Sequence, residues 1–496
     1  MANIKISGIS NIAVAVMLAA ILLSLLYFIF TNPVLCDPDS LYNLSISRSI
    51  NSHGLYYKFD WARFSVLKER FSDRDLVLHL MVAPLLLLFG DPMVAGKAAI
   101  SLFIVIFLLA YYRILRRYLS SKTASFFLVL PFLSSLFLLY IMQLRSATLS
   151  NILLIMWAYA AIERKYAILF AVSMIYPITH ISFYILLPIV FLFETLRFVF
   201  DKEFCIKNIF ITLSGCALGC VIHPNFPNNI FIAYLNGVLL PIYMISGKNI
   251  GISGELGSLG MGMSLVLNFT LFAGLILALS LILPRRNKLR YPAAAWFALS
   301  SIYLFLALFA SKFWYQANTL FFIFLASFIG GLLKDTILEK ISSRSYFILA
   351  PLIIAAPFFI SVNLSYVTKN LEYQNQRGAY YEKAGKWMMK NVPPAKTIYH
   401  SHWDDASYFM YFNPKNSYIN VGDPIYMYYL YPKELYLMEN ISMGMVRDPG
   451  RAMKKIFGSD FCYVRKTEPL YNQAARETDS FRLGYEDVQG AVFEIL

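Results

Sequence analysis

Charge is what this chain has least of. Lys and Arg number 43 and Asp and Glu 29 among 496 residues, 15% in all, where a soluble domain carries roughly 25%. That shortage excludes an ordinary soluble protein and points to a chain that crosses a membrane many times. Acids are the scarcer sign, leaving a net charge of +14. A basic excess can mark a nucleic-acid partner. Here Lys and Arg cluster between hydrophobic runs, so they read as topology signals and no nucleic-acid partner is expected. Cysteine is also sparse and scattered. Cys216 and Cys220 stand four apart on an apolar run, and Cys36, Cys205 and Cys462 stand alone. With no CxxC spacing, neither a zinc set nor a disulfide framework is implied. Internal repeats and low-complexity tracts are missing. The first run, 11–30, is too long for a signal-peptide core and lacks a small-x-small cleavage site, so it is expected to stay as an anchor.

What the chain does have is apolar length: 58% hydrophobic and 16% aromatic residues. About 20 residues cross roughly 30 Å of hydrocarbon. Spans are expected near 11–31, 93–113, 124–141, 147–163, 165–180, 182–199, 208–224, 264–284, 291–310, 317–334 and 346–363. Between them lie basic stretches: RILRRYLSSK after the second span, ERK at 163–165, then 197–207, RRNKLR at 285–290 and 334–344. These alternate as cytoplasmic loops should. The run 76–90, LVLHLMVAPLLLLFG, is too short and would break the alternation, so it is expected to lie in the interface. Long outer loops then cover 32–92 and 223–262, the second with a possible interfacial helix and a Gly/Ser-rich end. From 364 to 496 helix and strand patterns alternate, as in a small α/β domain. The expected fold is a polytopic α-helical membrane protein of about 11 transmembrane helices (1–363) with an extracytoplasmic α/β domain (364–496). Basic inner loops and the missing signal peptide suit a bacterial inner membrane.

The first outer loop opens on LCDPDSLYN, 35–43, where Asp37 and Asp39 follow directly on the first apolar run. Asn32-Pro33 and Asp37-Pro38 are turn formers, so the acids read as a helix stop. The other reading is chemistry at the outer surface, where carboxylates bind a divalent cation or act as bases.

DPDSLYNLSISRSINSHG, followed by DLVLHLMVAPLLLLFG and a true span, resembles the GT-C superfamily of membrane glycosyltransferases. These use polyprenyl-phosphate-linked sugars and include oligosaccharyltransferase catalytic subunits and protein O-mannosyltransferases. Asp39 with Tyr42-Asn43 is similar to the D-x-x-[YF]-[NH] of oligosaccharyltransferases. The resemblance implies that Asp39 is the essential acid and Asp37 its helper, and that the helix carrying His79 is the juxtamembrane helix of that loop. HSHWDDASYFMYF, 400–412, is similar to the region around their W-W-D-Y-G motif, which holds the acceptor. The first Trp and the Tyr-Gly are absent here, which speaks against a sequon-peptide acceptor.

A lipid-phosphate leaving group departs without the general acid a glycosidase needs. What remains is a base or orienting carboxylate, assigned to Asp39, and positive charge for the phosphate. Arg145 and Lys312 are the outer-surface cations, although both also fit simple snorkelling to the interface. Arg145 is preferred because a guanidinium grips phosphate through two parallel hydrogen bonds. Arg48, Arg63 and Lys97 are further candidates. His79 and His180 join the donor side, with His180 and His223 equally readable as structural hydrogen-bonders at turns. Glu255, Trp403, Asp404 and Asp405 are the acceptor-side candidates, and Trp403 also suits plain packing. If Mg or Mn takes part, Asp37 and Asp39 supply hard oxygen ligands, with Glu255 as a third.

The reading favoured is an inverting hexosyl- or pentosyltransferase. It moves a sugar from a polyprenyl-phosphate donor to a glycan, lipid or protein acceptor at the outer face. The alternatives are a polysaccharide polymerase or ligase, and a lipid-linked-sugar transporter. The missing repeat counts against a transporter.

Overall fold

The computed structural model describes residues 19, 22–55, 58–248, 250–251, 254–282, 289–334 and 343–496. Most of the first expected span and the basic stretches 285–288 and 335–342 lie outside these residues. The chain divides into two compact units. One is drawn from Met1–Asn32, Lys97–Gly219 and Gly254–Asn370, the other from Pro33–Gly96, Cys220–Ser253 and Leu371–Leu496.

The first unit is helical, and each expected span with described residues falls on a helix. Among the described residues five helices of the whole chain are long and apolar enough to cross a membrane, or seven if each of two bent pairs is one span. One bend, of 88°, separates Ser121–Leu133 from Ser135–Ile141; the other, of 89°, separates Met261–Leu267 from Phe269–Ser280. A bend in an apolar helix frees backbone groups that lipid cannot satisfy. Polar side chains gather at both breaks. The Ser134 hydroxyl accepts from Phe137 N and donates to Asn268 Oδ1 at 2.9 Å, and Asn318 Nδ2 donates to the same oxygen at 2.9 Å. Nearer one helix end, Glu194 pairs with Arg197 at 3.2 Å.

The second unit collects the two long loops around the C-terminal segment. Its first helix, α1, spans Pro38–His53, and α2 spans Leu76–Phe89 with Pro84 inside. A third, α3, covers Asn228–Ile245 with a wide π turn at Leu235–Leu239. It is one of the five candidate crossing helices, although it lies in the expected second outer loop. The unit boundary at Asn370/Leu371 falls within the 49-residue helix α4, Ser343–Asn391.

The sheet follows: β1 (Thr397–His400), β2 (Ser417–Tyr418), β3 (Ser459–Arg465), β4 (Phe481–Glu486) and β5 (Gly490–Ile495), in the order β2-β1-β3-β5-β4. β1 pairs in parallel with β2 and β3, while β5 pairs antiparallel with β3 and β4. Helix α5, Asp405–Phe412, connects β1 to β2. The first loop lengthens this sheet at its edge: Tyr418 N donates to Trp61 O at 2.7 Å and Arg63 N to Tyr418 O at 2.8 Å. An edge strand of two residues is thereby covered by a segment from far earlier in the chain.

Candidate functional site

Asp37 starts a helix, where the turn formers around it had suggested only the end of one. It is the N-cap of α1, extended in backbone, and its carboxylate accepts from Ser40 N at 3.1 Å and from the Ser40 hydroxyl. Pro38 follows at a position whose N–H a helix does not use. Asp39 lies in the first turn, where the positive end of the helix favours a carboxylate. Asp37 is buried and Asp39 half-buried.

One turn further along, Asn43 reaches α2. His79, fully buried, places Nε2 2.9 Å from Asn43 Oδ1 and Nδ1 2.8 Å from the Asp73 carboxylate. Asp73 is a junction. Its carboxylate also accepts from Asp75 N at 3.0 Å, its own N–H donates to Asn225 Oδ1 at 3.0 Å, and its carbonyl faces His223 Nε2 at 3.0 Å. The starts of α2 and α3 are thus tied together by side chains from both loops. His223 is structural here. Burial holds its imidazole below the ordinary value, with the Asp73 carbonyl opposing.

Arg74 extends this junction to the C-terminal segment. Its Nη1 donates to Asp423 at 3.0 Å and to the Tyr426 hydroxyl at 3.2 Å, and its Nε to Asp75 at 3.3 Å. Burial opposes the charge, but Tyr426, Asp423, Asp75 and Asp39 together hold the guanidinium well above its ordinary value. Burial also pushes the Tyr42 phenol up, with Arg74 opposing. The carboxylate of Asp39 therefore lies in the field of a half-buried arginine. Sequence reading missed this DRD triplet at 73–75, although three adjacent charges in so uncharged a chain were a usable signal.

The His-Trp-Asp-Asp stretch precedes and opens α5. Asp405, fully buried, accepts from Arg465 Nε at 2.8 Å, from Tyr381 and from His402 N at 3.1 Å. Asp404 accepts from Arg377 at 2.7 Å and from Arg465 and His402. Burial alone would raise the Asp404 carboxyl, but His402, Arg465 and Arg377 hold it far below the usual carboxylate range. Tyr381 stacks on Tyr408 at 4.1 Å, roofed by Arg377. Buried His400 donates through Nδ1 to His402 O at 2.8 Å and accepts from Asn420 N, and burial keeps it below its ordinary value. Trp403 stays half-buried. A Cβ on Gly251, whose φ is +63°, would lie 3.9 Å from Trp403 Cδ1 and 3.6 Å from Glu439 Oε1. The second loop thus passes beside Trp403. Of the expected acceptor-side residues, Asp404 and Asp405 face a closed ion-pair network and Trp403 an open edge. The side chain of Glu255 lies outside the described residues.

Three donor-side candidates belong to the first unit. Arg145 precedes the helix Ser146–Ile162, its guanidinium 5.9 Å from the Tyr140 ring, and Tyr140 stacks on Tyr315 at 5.1 Å. That stack joins the turn bearing Arg145 to the helix following Lys312, whose ammonium lies 5.4 Å from the Phe313 ring. His180 caps a short turn, accepting from Ser182 N at 3.2 Å.

Among the described residues no group of three or more His, Cys, Asp or Glu is arranged to hold a metal ion. Asp37 spends its carboxylate on the cap and Asp39 faces an arginine's field, so this donor set does not fit a resident cation.

No family model and no curated protein matches the sequence. Solved structures do. ArnT from Cupriavidus metallidurans bound to undecaprenyl phosphate aligns with TM-score 0.59 and 12% identity over 97% of each chain. The Archaeoglobus fulgidus oligosaccharyltransferase tethered to an acceptor peptide with the NVT sequon aligns at 0.56 and 11% identity, over 90% of this chain and 69% of that one. The same organism's AglB in complex with an inhibitory peptide and a dolichol-phosphate aligns at 0.54 and 12%. The likeness is one of fold. The chain shares the fold of these structures, a polytopic helical membrane part with a C-terminal α/β domain.

Proposed function

We propose that this protein is a membrane glycosyltransferase that moves a sugar from a polyprenyl-phosphate-linked donor to an acceptor, with Asp39 as base or acceptor-orienting group. The observation that carries the reading is the placement of Asp39: it is half-buried in the first turn of α1, at the positive end of that helix, and is one of the groups whose charge raises the Arg74 guanidinium. The fold supports the donor class, since its likeness to an undecaprenyl-phosphate-bound protein extends over 97% of the chain.

The chemistry follows from the leaving group. The bond from sugar C1 to the donor phosphate oxygen breaks, with its electron pair going to the phosphate. The acceptor's nucleophilic atom bonds to C1 from the opposite face, so the anomeric centre inverts. Its proton passes to the Asp39 carboxylate, held in the first turn of α1. No step is routed through a metal. Arg145 and Lys312 are the proposed phosphate ligands of the first unit. Trp403, Asp404 and Asp405 stay on the acceptor side, with Trp403 making the contact and the two carboxylates shaping its loop. A bacterial inner membrane with the second unit outside fits the basic inner loops.

The test is Asp39→Asn, assayed for sugar transfer beside expression and lipid-donor binding. Transfer should vanish while the other two persist, and full activity would remove the core of the proposal. Mass spectrometry of envelope glycolipids with and without the protein then identifies the product. A change in polymer length alone points instead to a polymerase or ligase, and an unmodified glycolipid on the wrong leaflet to a transporter.

A further inference from the structure

We propose that α3 is a membrane-surface anchor, with one face packed on its own unit and the other laid into the headgroup–acyl boundary of an anionic bilayer. Ile230, Tyr234, Val238 and Ile242 recur every fourth residue and are 46%, 46%, 43% and 52% exposed. Phe226 precedes this stripe and Ile245, 89% exposed, ends it. A spacing of four drifts around an ordinary 3.6-residue turn. The π turn at Leu235–Leu239 is wider and slows that drift, so the stripe keeps to one side.

The opposite face is protein-bound along its length. Phe231 packs edge-on to Tyr429 at 5.4 Å, Asn236 donates to the Tyr426 hydroxyl at 2.9 Å, and Tyr243 meets Tyr428 at 5.3 Å. A helix held near both ends to one short C-terminal segment, 425–428 and its neighbour Tyr429, lies along its own unit. It is not free to cross ~30 Å of hydrocarbon, although its length and composition pass for a span. An apolar face of that extent does not belong in water.

Charge selects the occupant. An exposed cation stands at each end: Arg70 is 4.8 Å from the Phe231 ring and Lys248 is 4.2 Å from the Tyr243 ring. Apolar stripe, flanking tyrosines and terminal cations are the features of a helix lying in the interface of an anionic membrane. Chain continuity agrees, because α3 follows the apolar helix Ile206–Ile222 after five residues, 223–227. The inference does not depend on the proposed reaction.

The experiment uses the full chain, its five cysteines replaced, carrying Val238→Cys or Ile242→Cys labelled with an environment-sensitive dye. The protein is reconstituted in phosphatidylcholine vesicles with and without phosphatidylglycerol. Brominated acyl chains should quench both labels strongly and aqueous iodide weakly, and the inactive Asp39→Asn protein should behave alike. Arg70→Glu with Lys248→Glu should reduce lipid quenching, most in vesicles containing phosphatidylglycerol. Strong iodide quenching overturns the proposal. Labels shielded from both quenchers also overturn it, since a second copy or another protein then covers the stripe. Equal quenching in both vesicle types, unmoved by the charge reversals, overturns the anionic preference.

Discussion

His79 and Asp73 meet at 2.8 Å through the imidazole Nδ1, and the same ring turns its Nε2 to Asn43 on α1. This pair sets where α1 stands, and Asn43 is one turn from Asp39. His79→Ala should leave a buried carboxylate with one partner fewer, at a cost of about 1–3 kcal/mol. Transfer should fall mainly in kcat, because the carboxylate shifts while donor contacts persist. His79→Gln should recover part of the loss, since it keeps a donor towards Asn43. Wild-type kcat in the alanine variant would show that the link is irrelevant to the reaction.

Asp37 and Asp39 should separate cleanly. Asp37→Ala removes a helix cap, worth about 0.5–2 kcal/mol, and should lower the melting temperature with a modest effect on transfer. Asp39→Asn should leave melting almost unchanged and lower transfer by roughly 10²–10⁴. The opposite pattern, read from paired melting and activity curves, would exchange their roles.

Transfer should survive EDTA, and added Mg or Mn should bring no gain. Asp37 is already occupied by Ser40 N and its hydroxyl, and Arg74 beside Asp39 repels a cation. Loss of activity in EDTA with recovery in Mn would make the two aspartates a metal site.

Much of this layout was legible in the chain because hydrophobic length and basic loops are local signals. The helices near 93–113, 182–199 and 291–310 could be placed within a few residues for that reason. Strands β1, β2, β3 and β5 lie in β-rich runs, but β4, FRLGYE, was missed although Phe481, Leu483 and Tyr485 alternate with Arg482, Gly484 and Glu486. The helix Pro469–Arg476 was also missed, although its buried Leu470 and Ala474 stand at helical spacing. Asp39 stood out by its place after a span. Its surroundings did not: Arg74 is 35 residues away and Asp423 lies 349 beyond that arginine, so only folding brings them together. For the same reason Arg465 and Arg377, which neutralise the HWDD stretch, left no mark near it.

Arg465 should prove the more structural of the charges. It donates to both Asp404 and Asp405, and Arg465→Ala would leave buried carboxylates underpaired, at about 3–5 kcal/mol. Burial opposes the Asp404 charge and the neighbouring cations overcome it, so its folded-state carboxyl titrates below the unfolded one. The stability it contributes is therefore present above about pH 4 and lost as pH falls further. The melting gap between wild type and variant should be full at neutral pH and narrow in acid. A gap independent of pH would mean that lost packing, not charge, explains the effect.

Glu468 runs the other way. Burial, with Asp405 adding to it, pushes its carboxyl up to about 7, and its Oε2 is buried without a partner. A carboxyl raised in the folded state binds its proton more tightly there than in the unfolded chain. Its favourable contribution is complete below about pH 4 and is lost as pH rises through about 7. Glu468→Gln keeps the shape and removes the titration. It should melt at the same temperature as wild type near pH 4 and above it at pH 8, by at most about 3 kcal/mol of stability. Melting of the full chain in detergent at the two pH values checks this. A variant that is destabilised at pH 8 would show that Glu468 works as a charged partner of Arg465 and not as a buried, protonated acid.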